Sequence, residues 1–196
     1  MRIGVLGGTF DPPHVGHMAL AEAALESLKL DEILFVPANR NPLKKGRRQA
    51  SPRDRLEMVR RMIEGNPKLA VSDLEIARGG HSYAVDTLDE LQYVRPAEYW
   101  FILGADALKD IGTWKQPERL LRLCRLGVAY RTPERWEEVQ SRMTPDLREK
   151  LDPIEMPPVP TSSTDIRGKV AVGQSVSQMV SPSVLQYIRE HHLYEN

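Results

Sequence analysis

Two histidines, His14 and His17, stand three residues apart with Gly16 between them, directly after the run Gly7-Gly8-Thr9-Phe10-Asp11-Pro12-Pro13. The apolar stretch Ile3–Leu6 stops at the two glycines, so this segment reads as a buried strand running into the start of a helix. A helix N-terminus gathers unpaired N–H groups and the positive end of the dipole, which suits a polyphosphate. Glycines there let an anion approach the backbone closely. Far along the chain lies Thr161-Ser162-Ser163-Thr164-Asp165-Ile166-Arg167. Its hydroxyls read as a helix cap. Arg167 falls in the first turn, where a cation opposes the dipole unless an anion sits beside it. Hydroxyls and N–H groups cradling phosphate oxygens, with Arg167 as a clamp, is the chemistry this arrangement suggests.

Other chemistries for the same residues are weighed against this one. A His-x-x-His pair can bind zinc, but further ligands must come from elsewhere, and His81, Cys124, His191 and His192 sit in unrelated segments. The pair can also simply cap or pack a helix start. A dinucleotide turn needs Gly-x-Gly-x-x-Gly and an acidic residue closing the second strand; here the glycine spacing is wrong and that strand ends Val36-Pro37-Ala38-Asn39. No Gly-Lys-Ser/Thr follows the glycines, so a Walker-type loop is absent.

These residues need a frame. Apolar segments at Ile3–Leu6, Ile33–Val36, Leu69–Ser72, Tyr99–Leu103, Leu126–Tyr130 and, more weakly, Ile154–Met156 read as strands. Amphipathic stretches alternate with them. Met18, Ala21, Leu25 and Leu28 have helical spacing. Ser51, Pro52 and Asp54 give a helix start ahead of Leu56, Val59 and Ile63. Val85, Leu88 and Leu91 mark a further helix, Pro117 starts another, and Thr132-Pro133 opens one expected to run through Glu134–Lys150. Ser181-Pro182 repeats the cap-plus-proline pattern before Val184, Tyr187 and Ile188. Such alternation predicts an α/β fold, a doubly wound parallel sheet covered on both faces, with ligands at the carboxyl ends of its strands. The polar, basic stretch from Asn39 to Ala50 is expected to act as a lid, and Pro153 to Pro160 to be extended.

Composition narrows the class further. At 196 residues one domain with a sizeable core is expected. Its 27 basic and 27 acidic residues give no global pull toward nucleic acid or an anionic membrane. A single cysteine, Cys124, excludes an internal disulfide. No apolar run reaches the roughly 20 residues of a membrane span, and Gly7 and Gly8 cut short any signal-like stretch. A cytoplasmic protein is expected, with a homo-oligomer among the assemblies the sequence allows.

Taken together, the Gly-Gly-Thr-Phe-Asp-Pro-Pro-His-x-Gly-His start and Ser162-Ser163-Thr164-Asp165-Ile166-Arg167 resemble the nucleotidyltransferase superfamily named for its His-x-Gly-His motif. Within it the chain is most similar to the bacterial nicotinate-nucleotide adenylyltransferases. Ser82-Tyr83-Ala84-Val85-Asp86-Thr87-Leu88, Gly104-Ala105-Asp106 followed by Trp114, and Leu193-Tyr194 agree with this, so the resemblance runs from residue 3 to about residue 194. It implies a Rossmann-like fold over residues 1–196 with a small helical part from about 161 to 196. It also implies transfer of AMP from ATP to nicotinic acid mononucleotide, with Mg²⁺ carried by ATP and no metal held tightly by the protein.

Residue by residue, the resemblance places ATP phosphates on His14 and His17, with His17 nearest the α-phosphate as charge builds. Gly7, Gly8, Thr9, Phe10 and Gly16 would offer backbone contacts or access. Ser163, Thr164 and Arg167 would hold the β- and γ-phosphates, Gly104 and Asp106 would border the ribose, and Arg131 the adenine or an acidic group. For the acceptor it implies Lys44 on the phosphate, Ser82, Tyr83 and Ala84 at the pyridine substituent, and Trp114 stacked on the ring. The family usually has threonine where this chain has Ala84, and often histidine where it has Leu43. A family contact made by the backbone N–H survives at Ala84, whereas a histidine role does not transfer to Leu43. Rival readings are a nicotinamide-mononucleotide or phosphopantetheine adenylyltransferase, a cytidylyltransferase, and a nucleotide-binding regulator without catalysis.

Overall fold

The computed structural model describes residues 1–42, 50–130 and 132–195. Lys44 and Arg131, together with most of the expected lid, lie outside them. Six parallel strands form one sheet: β1 (Arg2–Gly8), β2 (Glu32–Pro37), β3 (Leu69–Val71), β4 (Glu98–Gly104), β5 (Arg125–Tyr130) and β6 (Leu151–Glu155), in the order β3-β2-β1-β4-β5-β6. The helices are α1 (Val15–Ser27), α2 (Pro52–Ile63), α3 (Leu74–Arg78), α4 (Ala84–Val94), α5 (Ala105–Leu108), α6 (Pro117–Leu123), α7 (Pro133–Ser141), α8 (Pro145–Arg148), α9 (Ser163–Ala171) and α10 (Pro182–Glu190).

Strand side chains alternate between two cores, as the period of two demands. Ile33 and Phe35 of β2 join Trp100 and Ile102 of β4 on one face, with α1, α2 and α10 packed over them. Leu34 and Val36 join Tyr99, Phe101 and Leu103 on the other face, under α4 and α6. The apolar positions at helical spacing in α2, α4 and α10 are buried as expected: Leu56, Val59 and Ile63; Val85, Leu88 and Leu91; Val184, Tyr187 and Ile188. Each fully buried aliphatic side chain contributes roughly 1.5–3 kcal/mol to folding.

Strand order reverses between β1 and β4, and the pairing explains the crevice there. These two strands pair only from Arg2↔Glu98 to Val5↔Phe101. Each then continues three residues further with its outer neighbour, β1 as far as Gly8↔Pro37 and β4 as far as Gly104↔Ala129. The two half-sheets therefore part beyond Val5 and Phe101, opening a cleft at the switch point of the fold.

Three details differ from expectation. The helix expected through Glu134–Lys150 is two helices, α7 and α8, because Thr144 precedes Pro145 and adopts an extended ψ of 154°. β6 begins at Leu151 rather than Ile154 and contains Pro153, which an edge strand tolerates. The short α3, α5 and the 3₁₀ turn Ile111–Thr113 carry too few residues for an apolar period to reveal them.

Candidate active site

The loop from β1 to α1 turns sharply. Phe10 has φ of +51°, and its ring lies under Gly8, where a Cβ would meet it at 2.9–3.1 Å. Gly8 is therefore required by close approach. His14 is the N-cap of α1; its amide donates to Nδ1 of His17 at 3.2 Å, which places the His17 proton on Nε2. The two imidazoles stack with centroids 3.7 Å apart, and Phe10 meets His17 edge-on at 4.9 Å. Gly16 is also closely approached: a Cβ there would lie 3.1 Å from Nδ1 of His14, so the ring would have to give by a few tenths of an ångström. Burial lowers the His14 pKa to about 4, so this ring is neutral at pH 7.

The second motif folds back onto this loop. Ser162 caps α9, its hydroxyl accepting from the Asp165 amide at 3.1 Å. The Ser163 hydroxyl donates to the Pro12 carbonyl at 2.9 Å. Arg167 Nη1 donates to the Asp11 carbonyl at 2.7 Å, and its Nη2 to the Thr164 hydroxyl at 3.4 Å. The cation expected to conflict with the helix dipole is thus accommodated by Asp11, whose Oδ2 lies 3.7 Å away, and by Asp165 in the same turn.

Beneath the loop sits a polar cluster that sequence reasoning missed. Asp11 is 2 % exposed and Arg55 only 1 %. Arg55 donates to the carbonyls of Thr9, Asn39 and Ala50, tying the β1–α1 loop to both ends of the β2–α2 connection. Asp11 Oδ1 accepts from the Tyr194 hydroxyl and the Ala50 amide. Burial, then the Asp11 carboxylate, raise the Tyr194 pKa far above that of an ordinary phenol. An arginine in the middle of an amphipathic helix gives no hint that it points inward. Only Arg55's place on the same face as Met58 and Val59, two positions rich in core contacts, offered a signal.

Two cavities, of about 450 and about 580 Å³, flank this loop. Both count His17, Leu20 and Gly104 among their walls, so the second histidine stands where they meet. Gly7, Gly8, Ser82, Tyr83, Ala84 and Trp114 line the first, together with Phe101, against which Trp114 packs edge-on at 5.7 Å. The Ser82 hydroxyl accepts from the Asn39 amide at 2.9 Å, and Ala84, another wall residue, opens α4, so the start of that helix borders this space. Lys115, unforeseen from sequence, also lines it; its amino group bonds Asp86 at 2.8 Å and lies 4.8 Å from the Tyr83 ring centroid.

His14, Gly16, Asp106 and Thr161 line the second cavity, with the unforeseen Arg135. Asp106 pairs with Lys109 at 2.9 Å and lies 3.7 Å from Arg135. Thr9, Phe10, Ser163, Thr164 and Arg167 are walls of neither cavity; Thr9 and Phe10 belong to the loop, Ser163 and Arg167 bond to it, and Thr164 accepts from Arg167. Among the described residues no group of three His, Cys, Asp or Glu is placed to hold a metal ion. No helix among them is long and apolar enough to cross a membrane.

A family model described as cytidylyltransferase-like matches residues 5–169. A probable nicotinate-nucleotide adenylyltransferase from Desulfitobacterium hafniense is 42 % identical over 98 % of this chain and 95 % of its own length. One from Roseiflexus sp. is also 42 % identical, over 98 % and 97 %. The chain belongs to the nicotinate-nucleotide adenylyltransferase family. The fold agrees: nicotinic acid mononucleotide adenylyltransferase from Plasmodium falciparum, complexed with NaAD, superposes with a TM-score of 0.76 at 20 % identity, covering 98 % of this chain and 97 % of that one. The same enzyme complexed with APC gives 0.75. Members of this family are nucleotidyltransferases, and the Rossmann-like sheet here is the one the family resemblance implies.

Proposed function

We propose that this chain, as one catalytic unit, transfers the AMP part of ATP to nicotinic acid mononucleotide, forming deamido-NAD and releasing pyrophosphate. The observation that carries this is the pair of nucleotide-sized cavities that meet at His17 across the switch point. Attack and departure at a phosphorus occur in line, from opposite sides. A boundary between two nucleotide sites supplies that geometry. The acceptor's 5′-phosphate, dianionic near pH 7 because its second pKa is about 6, needs no general base. Its oxygen forms a bond to the α-phosphorus as the bond to the bridging oxygen breaks, and the electron pair leaves with pyrophosphate.

The first cavity takes the mononucleotide. Tyr83 and Trp114 offer aromatic faces to the pyridine, and N–H groups at the start of α4 receive its carboxylate. Ala84 serves through its main chain, so the absent threonine hydroxyl costs nothing there. The second cavity takes ATP. Neutral His14 contributes a hydrogen-bonding dipole rather than a full charge, and Nε2 of His17 donates to the α-phosphate as negative charge develops. Arg167, Ser163 and Thr164 hold the outer phosphates once ATP lies along the β1–α1 loop, and Asp106 borders the ribose. Mg²⁺ would enter as part of the MgATP substrate, since this ion commonly binds through substrate phosphates.

Pyrophosphate release with ATP and each of three acceptors tests this: nicotinic acid mononucleotide, nicotinamide mononucleotide and phosphopantetheine. Release is expected with the first, at the highest kcat/KM. A clear amide preference would reassign the acceptor, and no release with any would indicate a binding module. His17→Ala should lower kcat about 100-fold or more, the scale of losing one transition-state donor, with an unchanged melting temperature. Near-normal turnover would remove His17 from its role.

A further inference from the structure

The Asp11 carboxylate has a split environment. Oδ1 accepts two hydrogen bonds, from the Tyr194 hydroxyl at 2.8 Å and from the Ala50 amide at 3.1 Å. Oδ2 is buried, has no hydrogen-bond partner among the described residues, and lies 3.7 Å from Nη1 of Arg167. That nitrogen donates to the Asp11 carbonyl instead, at 2.7 Å. A charge-assisted arginine–carboxylate bond closes to about 2.7–2.9 Å, so this guanidinium is attracted by the carboxylate without being bonded to it. A buried oxygen with no donor gains by turning toward the nearest cation. Two donors on Oδ1, one of them on a residue 183 positions away along the chain, hold it back. Arg55 braces the same point by donating to the Ala50 carbonyl at 3.2 Å.

We propose that Tyr194 is a positioning residue for the ATP side of the site: its hydroxyl restrains Asp11 so that Arg167 is oriented toward phosphate but not captured by the carboxylate. Two partners compete for Arg167, an internal carboxylate and the outer phosphates of ATP, and the tyrosine hydroxyl decides how strongly the internal one competes. Capture would spend guanidinium donors and charge inside the protein. The proposal rests on the ATP reading given above.

Tyr194→Phe keeps the ring and its packing and removes only the donor. With pyrophosphate release by the unaltered protein established first, KM for ATP should rise about tenfold in this variant, the scale of a contested charged hydrogen bond. KM for the mononucleotide and the melting temperature should stay near their starting values, and inhibition by inorganic pyrophosphate should weaken in parallel with ATP. In the double variant Tyr194→Phe/Asp11→Asn the capturing charge is gone, so KM for ATP should return toward that of Asp11→Asn alone. An unchanged KM for ATP in Tyr194→Phe, an equal rise for both substrates, or loss of the fold would each overturn the proposal, the last by making the hydroxyl a folding element. Failure of the unaltered protein to release pyrophosphate would instead count against the assigned reaction.

Discussion

His14 and His17 share a motif but not a role. One is the buried cap of α1 and is kept neutral by desolvation, while the other stands on the boundary between two cavities with its proton on Nε2. Gly16 lies close beneath the His14 ring, where a Cβ would come within 3.1 Å of Nδ1. Gly16→Ala therefore sets two effects against each other. Alanine in a helix is favoured over glycine by about 1 kcal/mol, yet its Cβ pushes a ring that is already stacked on His17 at 3.7 Å. Chemical denaturation should show stability unchanged or slightly raised, while kcat falls at least severalfold. Loss of stability with normal turnover would contradict this account of the glycine.

Elements come together here through loops rather than through the sheet alone. Arg55 on α2 joins the ends of β1 and β2 to its own helix start by three carbonyl contacts. Ser163 and Arg167 join α9 to Pro12 and Asp11 in the β1–α1 loop. Replacing Arg55 by alanine leaves three carbonyls without their donor and takes one of two buried cations away from Asp11, leaving only Arg167. Removal of one partner from such a buried charged network costs about 3–5 kcal/mol. Urea unfolding of Arg55→Ala should show a loss of this size, with KM for ATP raised in whatever folded protein remains. A loss below 1 kcal/mol would show the cluster to be incidental to the loops it bridges.

For the whole molecule, the buried neutral His14 makes stability depend on pH in a defined direction. Its folded pKa of about 4 lies below the unfolded value of 6.5, so the unfolded chain binds more protons between the two. Stability from this group is complete above pH 6.5 and is lost as pH falls toward 4, a decline of about 3 kcal/mol at most. Urea midpoints at several pH values should show a flatter acid limb for His14→Gln than for the unaltered chain. Parallel acid limbs would mean that His14 is solvated.

Much of this architecture is legible along the chain because its signals are local. Strand–helix alternation, the Ser51 and Ser181 caps with their prolines, and the helical spacing of Leu56, Val59 and Ile63 each depend on neighbours a few residues away, and all appear where expected. The His14–His17 and Ser163–Arg167 motifs are local too, and the fold brings both to the β1–α1 loop. What lay beyond the sequence depends on distant partners. Arg55 resembles any helical surface arginine until three carbonyls from two loops converge on it. Tyr194 and Asp11 meet across nearly the full chain, and Lys115 and Arg135 become cavity walls only when the segments following β4 and β5 gather at the carboxyl ends of those strands. Burial decides the charge of His14, and the parting of β1 from β4 beyond Val5 and Phe101 decides where the cavities open, because desolvation and strand divergence are properties of the packed chain and not of any stretch of it.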